Sequence, residues 1–174
     1  MSDVFTKAKR SEVMSRIRGY GNKDTELALM QLFRMHHITG WRRHSSLSLK
    51  NPVSRLKVRN PRSTSSRLNT RRGEGRKRRV RPDFVFPKLR LAVFVDGCFW
   101  HSCPLHATRP KNNAAFWRKK LAANKARDQF ITRTLRNKGW NVLRLWEHDL
   151  SPKCQARLLK QVEKALVTNS PVKI

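Results

Sequence analysis

Val93-Phe-Val-Asp-Gly-Cys-Phe-Trp-His-Ser-Cys-Pro-Leu-His106 is the most informative part of the sequence. Its short apolar run predicts a buried strand that ends at Asp96. A glycine, two cysteines, two histidines and an adjacent Phe-Trp pair follow within the next ten residues. We therefore expect the rest of the chain to build a scaffold around the end of this strand.

Two further strands are predicted beside this one. Residues 81–86 open a strand, and the short connection at 87–90 makes it pair with 91–95 as a hairpin. Antiparallel pairing brings the start of one strand and the end of the other to the same edge, so Asp83 and Asp96 should converge. Together with the Val95 carbonyl they offer the oxygen ligands that Mg²⁺ prefers. The third strand, Asn141–Trp146, should lie beside the strand that leads into the motif.

Three helices are predicted around this small sheet, at about 24–37, 113–138 and 152–167, which makes the chain α/β. Glu26 lies in the first turn of the first helix, where it serves either the helix dipole or a site. On the long helix an apolar stripe is interrupted by Asn124 and Asp128. A buried carboxylate needs a partner. Asp128 therefore either pairs with an arginine or orients a catalytic histidine.

The closely spaced Cys98, Cys103 and His106 predict a zinc site, because zinc takes sulfur and nitrogen ligands in a tetrahedron. His148, at the end of the third strand, is the best candidate for the fourth ligand, and Cys154 is the reserve candidate. With four protein ligands the zinc would be structural.

The composition points to a polyanionic partner. The 174 residues include 40 Lys+Arg against 11 Asp+Glu, for a formal net charge of +29. Nucleic acid is the commonest partner of so basic a chain, although a ribosomal or merely solubilising charge excess remains open. No window resembles a membrane span or a signal peptide, and three cysteines suit thiolate ligands in a reducing cytoplasm better than disulfides.

Two basic segments flank the predicted core. Residues 1–20 are predicted to form a basic N-terminal arm. Residues 44–81 are predicted to be a mobile insertion with 13 Lys+Arg from Lys50 to Arg81 and one acid, Glu74. Like charges and few apolar residues prevent such a segment from folding alone. We expect it to order on a phosphate backbone, or to be an exposed loop without a role.

His101 lies outside the predicted zinc set. Phe99 and Trp100 beside it are flanked by predicted metal ligands on a loop, so they cannot both point into the core. On a basic protein such aromatics suit stacking on bases or wedging between them. Asp83, Asp96 and His101 together predict metal-assisted phosphodiester hydrolysis, with His101 as the base and Asp128 as its helper.

The motifs resemble those of the very short patch repair (Vsr) endonucleases, zinc-containing relatives of the restriction-endonuclease fold. The resemblance covers nearly the whole chain apart from the insertion. It is carried by 9–11 with Met14, Thr25-Glu26, Arg81-Pro-Asp83, Val95 to His101, Cys103-Pro-Leu-His106, Phe116-Trp117, Asn124, Arg127-Asp128, Gly139-Trp140 and Trp146-Glu147.

The resemblance implies a single endonuclease domain over 1–174 that nicks DNA 5′ to the thymine of a T:G mismatch. It implies Asp83 as the main Mg²⁺ ligand, the Val95 carbonyl as a second ligand, His101 as general base and Glu26 as an aid near the site. Residues that intercalate beside the mismatch would be Phe99, Trp100 and Trp117, with Met14 in the other groove.

Two departures from the family pattern stand out. Asp96 occupies a position where some relatives have histidine. Its role is therefore either that of a metal ligand or that of a base that acts through such a ligand. The 44–81 segment has no counterpart in the compact family pattern. Other interpretations are a homing-type or free-standing nuclease that cuts intact duplex, and a non-catalytic, zinc-stapled DNA-binding module. We expect a monomer in the bacterial cytoplasm or nucleoid that acts on double-stranded, mismatched DNA, with repair proteins as further partners.

Overall fold

The computed structural model describes Lys9, Glu12, residues 23–49 and residues 79–169. The predictions for Met14, for the rest of the arm at 1–20 and for residues 50–78 of the insertion lie outside the described residues.

A four-stranded mixed sheet forms the centre. In their spatial order its strands are β1 (Arg42–Arg43), β4 (Phe84–Phe86), β5 (Leu91–Asp96) and β6 (Asn141–Trp146). The hairpin and the neighbouring third strand occur as predicted, because β4 pairs antiparallel with β5 and β5 pairs parallel with β6. At the other edge, β1 pairs antiparallel with β4.

Helices cover both faces of this sheet, as the α/β prediction requires. Leu91 and Val93 of β5 pack against the face that carries α1 (Ala28–Met35) and α3 (Gln155–Thr168). Ala92 and Phe94, which alternate with them, pack against α2 (Ala114–Arg136). The alternation follows from the two-residue period of a strand. The end of β5 therefore lies between the two helical layers.

Three element boundaries differ from the predicted ones. β4 begins at Phe84 and not at residue 81, because Pro82 has no N–H to donate to a strand ladder. The first helix begins with a π-helical turn, Lys23–Leu27, and ends at Met35, so His37 lies beyond it in a left-handed conformation with φ of 52°. The last helix begins at Gln155, after a 3₁₀ turn at Glu147–Leu150.

The two described ends of the predicted insertion are ordered strands. β2 (Leu47–Ser48) pairs antiparallel with β3 (Arg79–Val80), with Leu47 opposite Val80. Val80 is buried against Phe94 and α2, so this ladder is anchored in the core. Among the described residues, no helix is both long enough and apolar enough to cross a bilayer.

Candidate active site and metal cluster

A cleft of about 530 Å³ opens at the end of β5, where the sheet meets α2 and the turn before α1. All five residues predicted to be catalytic line it: Glu26, Asp83, Asp96, His101 and Asp128. They come from five separate positions in the sequence, and only the fold brings them together. Lys120 and Arg127 from α2 line the same cleft and give it positive charge.

Asp83 is fixed by the strand beside it. One of its carboxylate oxygens, Oδ2, accepts a hydrogen bond of 2.7 Å from the Val95 backbone N–H. Burial raises the pKa of Asp83 from 3.8 to about 6, against the lowering effect of that hydrogen bond and with the help of Glu26 and Asp96. A carboxyl that the fold keeps among other acids is well suited to hold a hard cation such as Mg²⁺.

Glu26 faces Asp83 from the π-helical turn and is buried. Its Oε2 accepts a hydrogen bond of 2.9 Å from Arg43 on β1, and His44 Nε2 lies 3.8 Å away. Arg43 thus compensates the buried charge of Glu26 and fixes its direction. Glu26 therefore lines the cleft beside Asp83.

His101 and Asp128 form a close pair across the cleft. The distance from His101 Nδ1 to Asp128 Oδ2 is 2.6 Å. Because a carboxylate only accepts, Nδ1 carries the proton in this pair and Nε2 is left to act as a base. The neighbouring Asn124 donates a hydrogen bond of 3.0 Å to the Trp100 carbonyl, which ties the loop to the same helix face.

Both carboxylate oxygens of Asp96 accept hydrogen bonds from one arginine. Oδ2 accepts from Arg144 Nε at 2.6 Å and Oδ1 accepts from Arg144 Nη2 at 2.5 Å. The buried Asp96 carboxylate also lies 3.6 Å from His101 Nδ1. Arg144 on β6 therefore compensates the charge of Asp96, and a metal ion shared by Asp96 and Asp83 stays a prediction.

The four residues predicted to hold zinc lie together, with all their ligand atoms within 4.8 Å of one another: Cys98, Cys103, His106 and His148. Cys98 Sγ lies 3.2 Å and Cys103 Sγ lies 3.6 Å from His148 Nδ1. Two sulfur and two nitrogen donors at this separation suit tetrahedral zinc. Among the described residues the reserve ligand Cys154 is not part of this cluster.

Two carboxylates lie behind the cluster. Glu147 Oε2 accepts from the Cys98 N–H at 3.0 Å. The buried Asp149 accepts from Arg157 at 2.5 Å, and its Oδ1 lies 3.7 Å from His148 Nε2, beyond hydrogen-bond length. Burial raises the pKa of the Cys98 thiol, and the adjacent Cys103 adds to the effect.

An aromatic cluster stands at the mouth of the cleft. The Phe99 and Trp117 ring centroids are 5.2 Å apart, and those of Trp100 and Trp117 are 6.0 Å apart. Trp100 also lines the cleft itself. Phe116 extends the cluster outward at 5.4 Å from Trp117, with 60% of its surface exposed.

Reasoning from sequence missed three residues of this region: Arg43, Arg144 and Asp149. The two arginines could not be distinguished among 40 Lys+Arg, since nothing in the local sequence marks a cation that pairs with a buried acid. Asp149 follows a predicted zinc ligand directly, and that adjacency was the one signal available.

The mixed sheet, the cleft with its histidine–aspartate pair and the separate cysteine–histidine cluster define the class: an α/β protein with a cluster that could hold a metal ion. The family model described as DNA mismatch endonuclease Vsr matches residues 65–106. A type II nicking enzyme of Neisseria meningitidis, V.NmeAIP, is 32% identical over 166 residues, 93% of this chain and 95% of that relative. The chain belongs to the Vsr family.

Shorter matches agree with this assignment. The type II nicking enzyme V.NaeI of Lentzea aerocolonigenes is 49% identical over 79 residues, 45% of this chain and 46% of the relative. The DNA mismatch endonuclease Vsr of Escherichia coli is 41% identical over 69 residues, 38% of this chain and 44% of the relative. These two matches span about half the length of each relative.

Proposed function

We propose that the chain is a Mg²⁺-dependent DNA endonuclease that nicks one strand 5′ to the thymine of a T:G mismatch and so starts very short patch repair. The observation that carries the proposal is the single cleft in which Asp83 and Glu26 face the His101–Asp128 pair, in a member of the Vsr family. Relatives named as nicking enzymes and as a mismatch endonuclease support it.

The residues of the cleft divide the work of phosphodiester hydrolysis. Asp83 and the Val95 carbonyl would hold the cation, and a bound Mg²⁺ would supply charge that polarises the phosphate. Glu26 adds negative charge beside Asp83, which would strengthen the binding of a cation there. His101 takes the proton of the attacking water at Nε2, while Asp128 holds the ring at Nδ1. Lys120 and Arg127 draw the DNA backbone toward this position.

The aromatic cluster supplies a means of selecting a mismatch. Phe99, Trp100 and Trp117 are already packed against one another, so they can enter a base step as a preformed wedge. Unstacking a base step costs a few kcal/mol, and a mismatched base costs least. A T:G pair would therefore admit the wedge more readily than a matched pair. Met14 would act from the opposite groove.

The cysteine–histidine cluster would hold a structural zinc that fastens the loop after β5 to the end of β6. All four positions of the tetrahedron are then filled by protein, which leaves none for substrate. We place the chain in the restriction-endonuclease-like fold as one domain, with a basic arm over 1–20 and a basic segment between β2 and β3. It would act on double-stranded DNA as a monomer in the bacterial cytoplasm, alongside repair proteins.

The catalytic part of the proposal is tested with two variants on a T:G duplex. Asp83→Ala should abolish Mg²⁺-dependent nicking while the DNA Kd stays within about threefold, since it removes a metal ligand and no phosphate contact. His101→Ala should lower the single-turnover rate on the order of 10²–10⁴-fold. Nicking by Asp83→Ala at nearly the wild-type rate would exclude the proposed site.

A further inference from the structure

Arg144 lies between two carboxylates that come from different elements. It stands on β6 opposite Phe94 of β5, with its guanidinium carbon 5.0 Å from the Phe94 ring centroid. The guanidinium forks onto Asp96 at 2.5 and 2.6 Å, and its Nη2 lies 3.2 Å from Asp128 Oδ1. One partly buried cation therefore connects the end of β5 to α2.

The same cation contacts both acids that lie beside His101. Asp128 is held at both oxygens, by His101 at 2.6 Å and by Arg144 at 3.2 Å. Asp96 Oδ1 lies 3.6 Å from the same ring nitrogen, beyond hydrogen-bond length, while both of its oxygens are bound to Arg144. A small shift of Asp96 would bring it to Nδ1 in competition with Asp128.

We propose that Arg144 is a positioning residue for the nicking reaction, which holds Asp96 away from His101 and so leaves His101 Nδ1 to Asp128 alone. The inference rests on the proposed function of this cleft. Without Arg144, the charges of Asp96 and Asp128 beside the His101 imidazole are uncompensated. Both carboxylates then compete for its Nδ1–H. Misplacing a base by about 1 Å can cost on the order of 10²-fold in rate.

Paired substitutions separate positioning from simple stabilisation. Arg144→Met removes the fork and leaves Asp96 free to compete for His101. Asp96→Asn/Arg144→Met removes the competitor as well, so that Asp128 is again the one carboxylate beside the ring. Replacing both members of a buried ion pair also avoids an uncompensated charge, which keeps the double variant folded. Arg90→Met is the matched control, because Arg90 bonds the Lys138 carbonyl at the opposite end of β5.

The kinetic experiment measures single-turnover nicking of a T:G duplex and the DNA Kd for each zinc-loaded variant. We expect Arg144→Met to lose roughly 10- to 100-fold in rate with the Kd within about threefold, and the double variant to regain most of that loss. Arg90→Met should nick within about threefold of wild type. A role in stability alone predicts folded variants that all nick at the wild-type rate, and that result would overturn the proposal.

A second measurement does not depend on nuclease activity. One-bond ¹H–¹⁵N spectra of the imidazole N–H groups, recorded without Mg²⁺ or DNA, report the Nδ1 proton of His101, with His101→Gln giving the assignment. That proton signal should be present in wild type and in the double variant, and lost or broadened in Arg144→Met. An unchanged signal in Arg144→Met would overturn the inference. If wild type nicks no duplex, the proposed function fails, and this spectrum still decides the role of Arg144.

Discussion

The ionised form of the Asp83 carboxyl is unfavourable in the folded protein when no cation is bound. Burial, with Glu26 and Asp96 nearby, raises its pKa to about 6 despite the hydrogen bond from Val95. Its folded-state pKa lies above the unfolded value of 3.8, so the folded chain binds this proton more tightly. As pH rises from 3.8 to about 6, ionisation favours the unfolded chain, and stability falls.

We therefore expect Asp83→Asn to stabilise the protein in Mg²⁺-free buffer. Above pH 6 its free energy of unfolding should exceed that of wild type by about 1–3 kcal/mol, and the two should converge toward pH 4. Denaturant titrations of both zinc-loaded proteins across this range measure the difference. Added Mg²⁺ should stabilise wild type and leave Asp83→Asn unchanged. A variant less stable than wild type at pH 7 would contradict this role for Asp83.

The residues that sequence could predict are those that break a local pattern. Asp128 was visible because it interrupts an apolar stripe on α2, and His148 because β6 had to lie beside β5. Arg144 interrupts no local sequence pattern. Its role is defined by ion pairs with Asp96 and Asp128, which lie on other elements. The two-residue strands β1, β2 and β3 were missed for a related reason. Such short strands show no period, and their partners alone define them.

Among the structural elements, the loop after β5 is fastened at two points. The cysteine–histidine cluster ties it to the end of β6, and Asn124 ties the Trp100 carbonyl to α2. The loop carries His101, Phe99 and Trp100 between these points. A zinc ion that closes the cluster would therefore fix both the base and the wedge. Its binding free energy would also contribute to folding.

The zinc prediction compares two cysteines. Cys103→Ala should lower zinc content well below one ion per chain and reduce the thermal midpoint, because a buried ligand of the cluster is removed. Cys154→Ala, outside the cluster, should keep one zinc and a midpoint within a few degrees of wild type. Metal analysis and thermal denaturation of the two variants provide the measurement. Full zinc occupancy in Cys103→Ala would remove that residue from the ligand set.

Across the molecule as a whole, positive charge is concentrated between β2 and β3. Residues 50–78 contain 11 Lys+Arg and one acid, and they join strands that are anchored in the core by Val80. A segment of this composition should bind phosphates without reading bases. We propose that it extends the DNA-binding surface beyond the cleft.

Replacing 50–78 with a short Gly-Ser linker keeps the β2–β3 pair and tests this role. DNA binding should weaken, and the slope of log Kd against log salt should flatten by about 0.9 for each phosphate that the protein no longer neutralises. The preference for a T:G duplex should remain. A changed base preference with an unchanged salt slope would show instead that the segment reads sequence.

Trp100 of the aromatic cluster lines the same cleft as Asp83 and the His101–Asp128 pair, and the proposed mismatch nicking depends on these parts acting together. Mg²⁺-dependent cleavage of a T:G duplex and its matched control, with each strand labelled separately, tests it. A mismatched step opens at lower cost, so the T:G duplex should be nicked much faster, on the thymine strand and 5′ to the thymine. Equal cleavage of both duplexes on both strands would contradict this mechanism and favour a nuclease that cuts intact DNA.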